Sequence, residues 1–236
     1  LPALMVVELF LQYTAAEQLI VPTVSIREGV LLSFALGTNK AIEQEFYSQV
    51  IASAQNLGRK YRYDENHGLH VAKLSLMLFD QFGNQHGMGS HERMLLEVAA
   101  ILHDIGNYIR ASGHHKHGQY IVANSEIFGL SRSDIRVVSH IVRYHRKGMP
   151  NSAHTSFVAL RREERVNVLK LAALLRVADA LDRSHSQRVR EVELEQRDDT
   201  TIVRCRCSGD LSVERYGLTI KGGMFEEVFG YSISIE

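Results

Sequence analysis

From Asn39 to about His185 the chain carries almost only helix-period signals, and that stretch limits it to a fold dominated by packed helices. Six segments repeat the pattern. Ile42, Phe46, Val50 and Leu57 recur near helical spacing in KAIEQEFYSQVIASAQNLGRKY, as do Leu69, Leu74, Leu78 and Phe82 in HGLHVAKLSLMLFDQF. ERMLLEVAAILHDIG, HHKHGQYIVANSEI, SRSDIRVVSHIVRYHRK and REERVNVLKLAALLRVADALDRS follow, separated by Gly- and Ser-containing breaks. Segments of this length predict one compact all-helical domain.

The flanks read differently. PALMVVELFLQYT has helical spacing, with Pro2 in a tolerated first-turn position. EQLIVP is a strand candidate closed by Pro22, and SIREGVLLSFAL offers Ser25 and Glu28 as a capping box with Gly37 near its end. That is an α/β fragment whose remaining strands are not visible, in a chain that starts without Met and is expected to be part of something longer. Beyond about Arg188 the period drops to two: VREVELEQ and TIVRCRCS flank RDD as a hairpin would, and YSISIE closes as a strand. SVERYGLTIKGGMFEEVFG between them is partly helical, interrupted by Gly217, Gly222 and Gly223.

With 27 basic and 27 acidic residues, the formal charge is zero, so no whole-chain field draws it to nucleic acid or an anionic membrane. No apolar run is long enough to span a bilayer. Cys205 and Cys207 lie two apart in a strand-like run, a spacing that suits neither a disulfide nor a zinc site and fits a reducing cytoplasm.

The histidines carry the chemistry. Ten of the twelve lie between His67 and His145. In ILHDIGNY an apolar run ends in His103 and Asp104 side by side, with Gly106 placed to let the chain turn. Taken alone, the pair is an ordinary polar helix end. Adjacent helix positions point about 100° apart, so both reach one ion only near a helix end or with help from other helices. Such help is present in the sequence. His67 opens one amphipathic segment, with His70 a turn later, and Asp179 stands among Leu174, Leu175, Val177 and Ala178. A carboxylate in that setting needs a partner, either Arg176 or Arg183, or a cation. Two imidazoles and two carboxylates make a mixed N/O set suited to Mn²⁺, Fe²⁺ or Mg²⁺ rather than to thiolate-held zinc.

The order His67 … His103-Asp104 … Asp179 resembles the H…HD…D signature of the HD superfamily of metal-dependent phosphohydrolases. GHHKHGQYIVANSE, RYHRKGMP and LLRVADALDRSH, with LPALMVVELF, EQLIVPTVSIREGVL and FEEVFGYSISIE at the flanks, resemble the C-terminal region of the exopolyphosphatase/guanosine-pentaphosphate phosphohydrolase family. The resemblance implies a mainly α chain. Residues 1–37 would be the end of an actin-like (ribonuclease H-like) α/β domain, 38–187 an HD-type helical domain, and 188–236 a small α/β domain. The family's polyphosphate-hydrolysing cleft belongs to domains that precede these residues.

By the same resemblance His67, His103, Asp104 and Asp179 hold one divalent metal, and Asp104, the catalytic candidate, bridges to a second. His117 and His145 stand where two-metal relatives carry extra imidazoles, with His114, His115 and His140 as neighbouring substitutes. Arg143, Arg146, Lys147 and Arg183 are candidates for phosphate, although 143–147 read alone is a solvated helix end. His70, His86, His91 and His154 read as structural or exposed. Asp182, a turn after Asp179, either accepts from an imidazole or pairs with Arg183 or Arg188. The implied activity is hydrolysis of phosphoanhydride or phosphoester bonds in polyphosphate or a phosphorylated nucleotide by a cytoplasmic homodimer, with no nucleic-acid or membrane partner. Two alternatives accompany it. One is a non-catalytic module that grips polyphosphate and pairs subunits, as in relatives that have lost the ligands. The other is a stand-alone HD-type nucleotide phosphohydrolase.

Overall fold

The computed structural model describes residues 2–14 and 40–236 apart from Lys147. The strand and helix expected between residues 17 and 37, and the boundary expected at 37, lie outside the described residues. The chain divides into two compact units, Leu1–Gln44 and Glu45–Glu236. In the first, Pro2–Thr14 is helix α1. Helix α2 is Lys40–Lys60.

In the second unit the helices are α3 (Glu65–Gln81), α4 (Gly83–His86), α5 (Ser90–Leu102), α6 (His114–Ala123), α7 (Arg132–Tyr144), α8 (Thr155–Val158) and α9 (Arg162–Leu181), with a 3₁₀ turn at Ile105–Tyr108. Helices α3, α5 and α7 surround α9, which is buried without a break from Leu171 to Leu181. A helix apolar on all sides belongs in the middle of a core. Leu171, Leu174, Leu175 and Leu181 are each fully enclosed, and burying such a side chain contributes about 1.5–3 kcal/mol. Two charged residues, Arg176 and Asp179, are buried with them. Helix starts follow local chemistry: Asp64 caps α3 by accepting from the His67 backbone N–H at 3.1 Å, and Ser131 with Asp134 forms a capping box on α7.

The tail is a three-stranded sheet in the order β1-β2-β3, with β1 at Val189–Arg197, β2 at Thr200–Cys207 and β3 at Ser232–Ile235. Strands β1 and β2 are antiparallel and turn through Asp198 at φ 47°. The expected closing strand pairs parallel to β2, so the chain crosses over through α10 (Ser212–Lys221) and α11 (Gly223–Phe229). The boundary expected near residue 187 falls inside the second compact unit. There Phe225 and Phe229 pack on Phe82, with ring centroids 5.2 and 4.8 Å away. The Gln81 amide holds the backbone of β1 as a neighbouring strand would, donating to Val192 O at 2.7 Å and accepting from Leu194 N at 2.9 Å. Among the described residues no helix is long and apolar enough to cross a membrane.

Candidate metal centre

Helix ends build this site. The last carbonyls of a helix lack intrahelical donors, and two of the histidines use them. His103, which ends α5, donates Nδ1–H to Ala100 O at 2.7 Å. His145, which ends α7, donates Nδ1–H to Val142 O at 2.6 Å. His114, the first residue of α6, makes the same kind of bond to Ala111 O at 2.9 Å. His67 on α3 donates Nδ1–H to a carboxylate instead, Asp182 Oδ2 at 2.8 Å. Asp182 is fully buried, and its other oxygen accepts the Gln187 backbone N–H at 2.7 Å. Of the alternatives open for Asp182 in the sequence, an imidazole partner is the one found.

With each Nδ1 proton committed, each neutral ring presents a lone pair at Nε2. These lone pairs face one another. His67 Nε2 lies 3.2 Å from His103 Nε2, and His114 Nε2 lies 3.2 Å from His145 Nε2. Asp104 Oδ1 sits between the pairs, 3.1 Å from His114, 3.5 Å from His145 and 3.9 Å from His103. Asp179 Oδ1 reaches toward the first pair, 3.8 Å from His67 and 4.0 Å from His103. Lone pairs at these distances repel unless a proton or a cation lies between them. The 3.2 Å separation is also the spacing of neighbouring ligands on an ion held at about 2.1 Å. Three groups of donors could each hold an ion, with all donor atoms of a group within 4.8 Å of one another: His67-His103-Asp179, Asp104-His114-His145 and His67-Asp104-His185.

The electrostatics follow from this crowding. For His67, burial opposes the charged ring, but Asp182, Asp179 and Asp104 outweigh it and raise its pKa. His103 is completely buried, and burial pushes it down to about 4 against the pull of Asp104 and Asp179. Asp104 is held well below the usual carboxylate range: burial opposes its charge, but the surrounding imidazoles of His103, His114 and His145 prevail. His114 is raised by its contact with Asp104.

Close backbone approach makes this convergence possible. A Cβ on Gly106 would come within 1.9 Å of His114 O, so only glycine lets the first turn of α6 sit against the turn that follows Asp104. Gly106 is thus needed for contact rather than for an unusual φ. This seats His114, not His117, beside Asp104; His117 is half-buried and lies outside the three groups. His115 is half-buried with a partnerless Nδ1 among the described residues, and burial, helped by His145 and Arg143, pushes it down to about 4. His140 donates to Arg136 O at 2.8 Å and is likewise outside the groups.

Neither arginine proposed as a partner for Asp179 is one. Arg176 donates to Tyr144 O at 2.7 Å and Gly148 O at 2.6 Å, holding the segment around His145, and burial lowers its pKa to about 10. The Arg183 stem packs against Gly217 while the residue is exposed. The partner of Asp179 is Lys221 of α10, whose Nζ donates to Asp179 Oδ2. Of the phosphate candidates, Arg143 and Arg146 are half-buried and form no ion pair among the described residues, and Lys147 lies outside them. Arg146 lies close enough to His114 and His115 to disfavour their protonation.

Two contributors had no sequence signal of their own. Lys221 is separated from Asp179 by 42 residues. His185, six residues after Asp179, stacks on His67 at 3.6 Å between centroids and 11° between planes, and its Nδ1 lies 3.0 Å from Asp64 Oδ2.

The chain is 26% identical over 153 residues to the guanosine-5'-triphosphate,3'-diphosphate pyrophosphatase of Vibrio vulnificus (strain YJ016), covering 64% of this chain and 30% of that protein. It is 28% identical over 119 residues to the protein of the same name from Pseudoalteromonas translucida (strain TAC 125), covering 49% and 24%. The chain thus spans about a quarter to a third of the length of these curated relatives. Residues 51–215 match the family Ppx/GppA phosphatase, domain III, and the chain belongs to that family.

Proposed function

We propose that residues 38–187 form an HD-type helical domain that binds one or two divalent ions, Mn²⁺, Mg²⁺ or Fe²⁺, within an exopolyphosphatase-type phosphohydrolase. One observation carries this reading: four imidazole nitrogens, their tautomers set by Nδ1 bonds, face each other in two pairs around the Asp104 carboxylate. His67, His103 and Asp179 would hold the inner ion, His114 and His145 the outer one, and Asp104 would bridge them. The geometry favours His114 over the His117 expected from sequence. Bound there, such ions acidify a water and polarise a phosphoryl oxygen.

The protein's own groups do the rest. The Ala100, Ala111 and Val142 carbonyls and the Asp182 carboxylate keep the four rings turned inward. The Arg146 charge acts on His114, and a guanidinium suits phosphoryl oxygens in bidentate contact. Arg143, Lys147 and Arg183 belong to the same reading. The names of the relatives favour a guanosine polyphosphate or polyphosphate as the class of substrate in the intact protein. A cytoplasmic homodimer, the end of an actin-like domain within residues 1–37 and a distinct tail domain from 188 are part of this proposal.

A second reading has its own support. The Lys221 ammonium already supplies a positive charge to Asp179. A site neutralised from within suits a module that binds polyphosphate and pairs subunits without turnover.

Elemental analysis of the purified chain beside a His103→Ala, Asp104→Ala variant tests the first reading. One or two equivalents of Mn, Fe or another divalent metal in the parent, lost in the variant, support it. No metal in the parent after incubation with Mn²⁺ leaves the second reading standing.

A further inference from the structure

Helix α10 is fastened to the end of α9 along one face. Glu214, fully buried, accepts from Ser184 N at 3.2 Å and Ser184 Oγ at 2.5 Å. At Gly217 a Cβ would lie 3.3 Å from the Arg183 stem and 3.4 Å from Ala180 O, so the two helices touch there nearly backbone to backbone. Lys221 follows at the next helical repeat of the same face. It is only 5% exposed and bonds Asp179, itself 5% exposed. A lysine buried to this degree on a pinned helix is not a surface side chain that happens to lie near a carboxylate. It uses Asp179 Oδ2, while Oδ1 is the oxygen turned toward His67 and His103.

We propose that Lys221 is a built-in counter-cation that competes with a divalent ion for Asp179, stabilising the metal-free site and holding its metal affinity down. The inference rests on the metal-binding reading of the same site. The physical reason is charge. Without metal, Asp179 is a buried carboxylate and breaking its ion pair is strongly destabilising. With metal, the ammonium becomes a like charge close to the ion, in surroundings that screen poorly. The family match ends at residue 215, part-way along α10, so Lys221 lies just beyond the matched region.

The test uses the full chain with Lys221→Gln, which keeps an N–H donor without the charge, and Lys221→Arg, which keeps the charge. Mn²⁺ binding is measured by calorimetry, and thermal melts are recorded with EDTA and with Mn²⁺. The expected result for Lys221→Gln is a metal-free Tm lower by roughly 5–10 °C, Mn²⁺ affinity higher by about tenfold or more, and a larger Mn²⁺-induced rise in Tm. Lys221→Arg stays near the parent in all three. Equal or weaker Mn²⁺ binding by Lys221→Gln, while the parent binds Mn²⁺, overturns the competition and leaves the metal site intact. Binding by Lys221→Gln alone supports the competition and overturns metal binding in the native chain. Binding by neither overturns both. If Lys221→Gln does not fold, acylation of Lys221 in the parent is followed by peptide mass spectrometry: faster reaction with Mn²⁺ present supports displacement, and an unchanged rate overturns it.

Discussion

The two imidazole pairs on either side of Asp104 have the same internal spacing and very different surroundings. His67 and His103 are each 1% exposed and face Asp179, whose other oxygen pairs with Lys221, and His67 also bonds Asp182; these partners are supplied by or fastened to the end of α9. His145 is as buried, but the His114 side chain is 13% exposed and Asp104 21%. Backbone carbonyls accept the Nδ1–H of both rings of this second pair. In the inner pair a carboxylate braces His67, a backbone carbonyl holds His103 and both rings are closed off, whereas the outer pair is held by backbone carbonyls and opens toward solvent at His114 and Asp104. Identical donors can thus be given different tasks: the inner set suits a tightly retained ion, and the outer set suits an ion that meets substrate and water.

The largest effect that could break this contrast is the loss of a whole ion. His114→Ala is expected to remove the outer equivalent of Mn²⁺ and leave the inner one, whereas His117→Ala leaves both, read as stoichiometry by calorimetry. Loss of metal in His117→Ala but not in His114→Ala would reverse the assignment of the outer ligand. Next in size is Asp182→Asn, which weakens the partner that sets the His67 tautomer. Loss of such a partner costs about 10- to 100-fold in metal affinity, so the inner equivalent should weaken by that factor and the outer should hold. If both equivalents weaken together, the two pairs act as one cluster and the contrast fails.

Much of the fold was legible because each long helix from α3 to α9 has its own apolar repeat, and the hairpin has its own alternation around Asp198 and Asp199. His103 could be suspected because an apolar run ends abruptly at it, whereas His145 was reached through the family resemblance. Which histidine of HHKH turns inward could not be read from sequence. It depends on where α6 begins, and that is set by the contact between Gly106 and His114 O, a tertiary feature with no local signature. The Asp179 partner was missed for a related reason. Arginines within one helical turn were the nearest visible cations, but Arg176 was needed by the carbonyls of Tyr144 and Gly148, and the lysine that serves instead arrives from the crossover between β2 and β3. Short elements such as α4 and α8 are a single turn each, too brief for a periodic signal.

The smallest expected effect asks whether the inner pair responds to α9 as a whole or only to its C-terminal end. Glu164, in the first turn of α9, is buried and accepts from Ser133 Oγ, from the Arg161 backbone N–H at 2.8 Å and from its guanidinium at 3.0 Å. Burial opposes its charge, but these donors lower its pKa to about 2. A carboxylate depressed on folding contributes stability above its unfolded pKa, and that contribution fades as pH falls toward the folded value. Glu164→Gln should therefore cost about 1–2 kcal/mol at pH 7, in the range of a lost helix cap. The gap from the parent, measured by urea unfolding, should shrink once the pH drops below about 4.5. Because Glu164 and Asp179 lie four turns apart on one helix, Mn²⁺ affinity at pH 7 should not change. Weaker binding in this variant would mean that the inner pair depends on the seating of the entire helix, and the local bracing by Asp182 and Lys221 would then be insufficient to explain its closure.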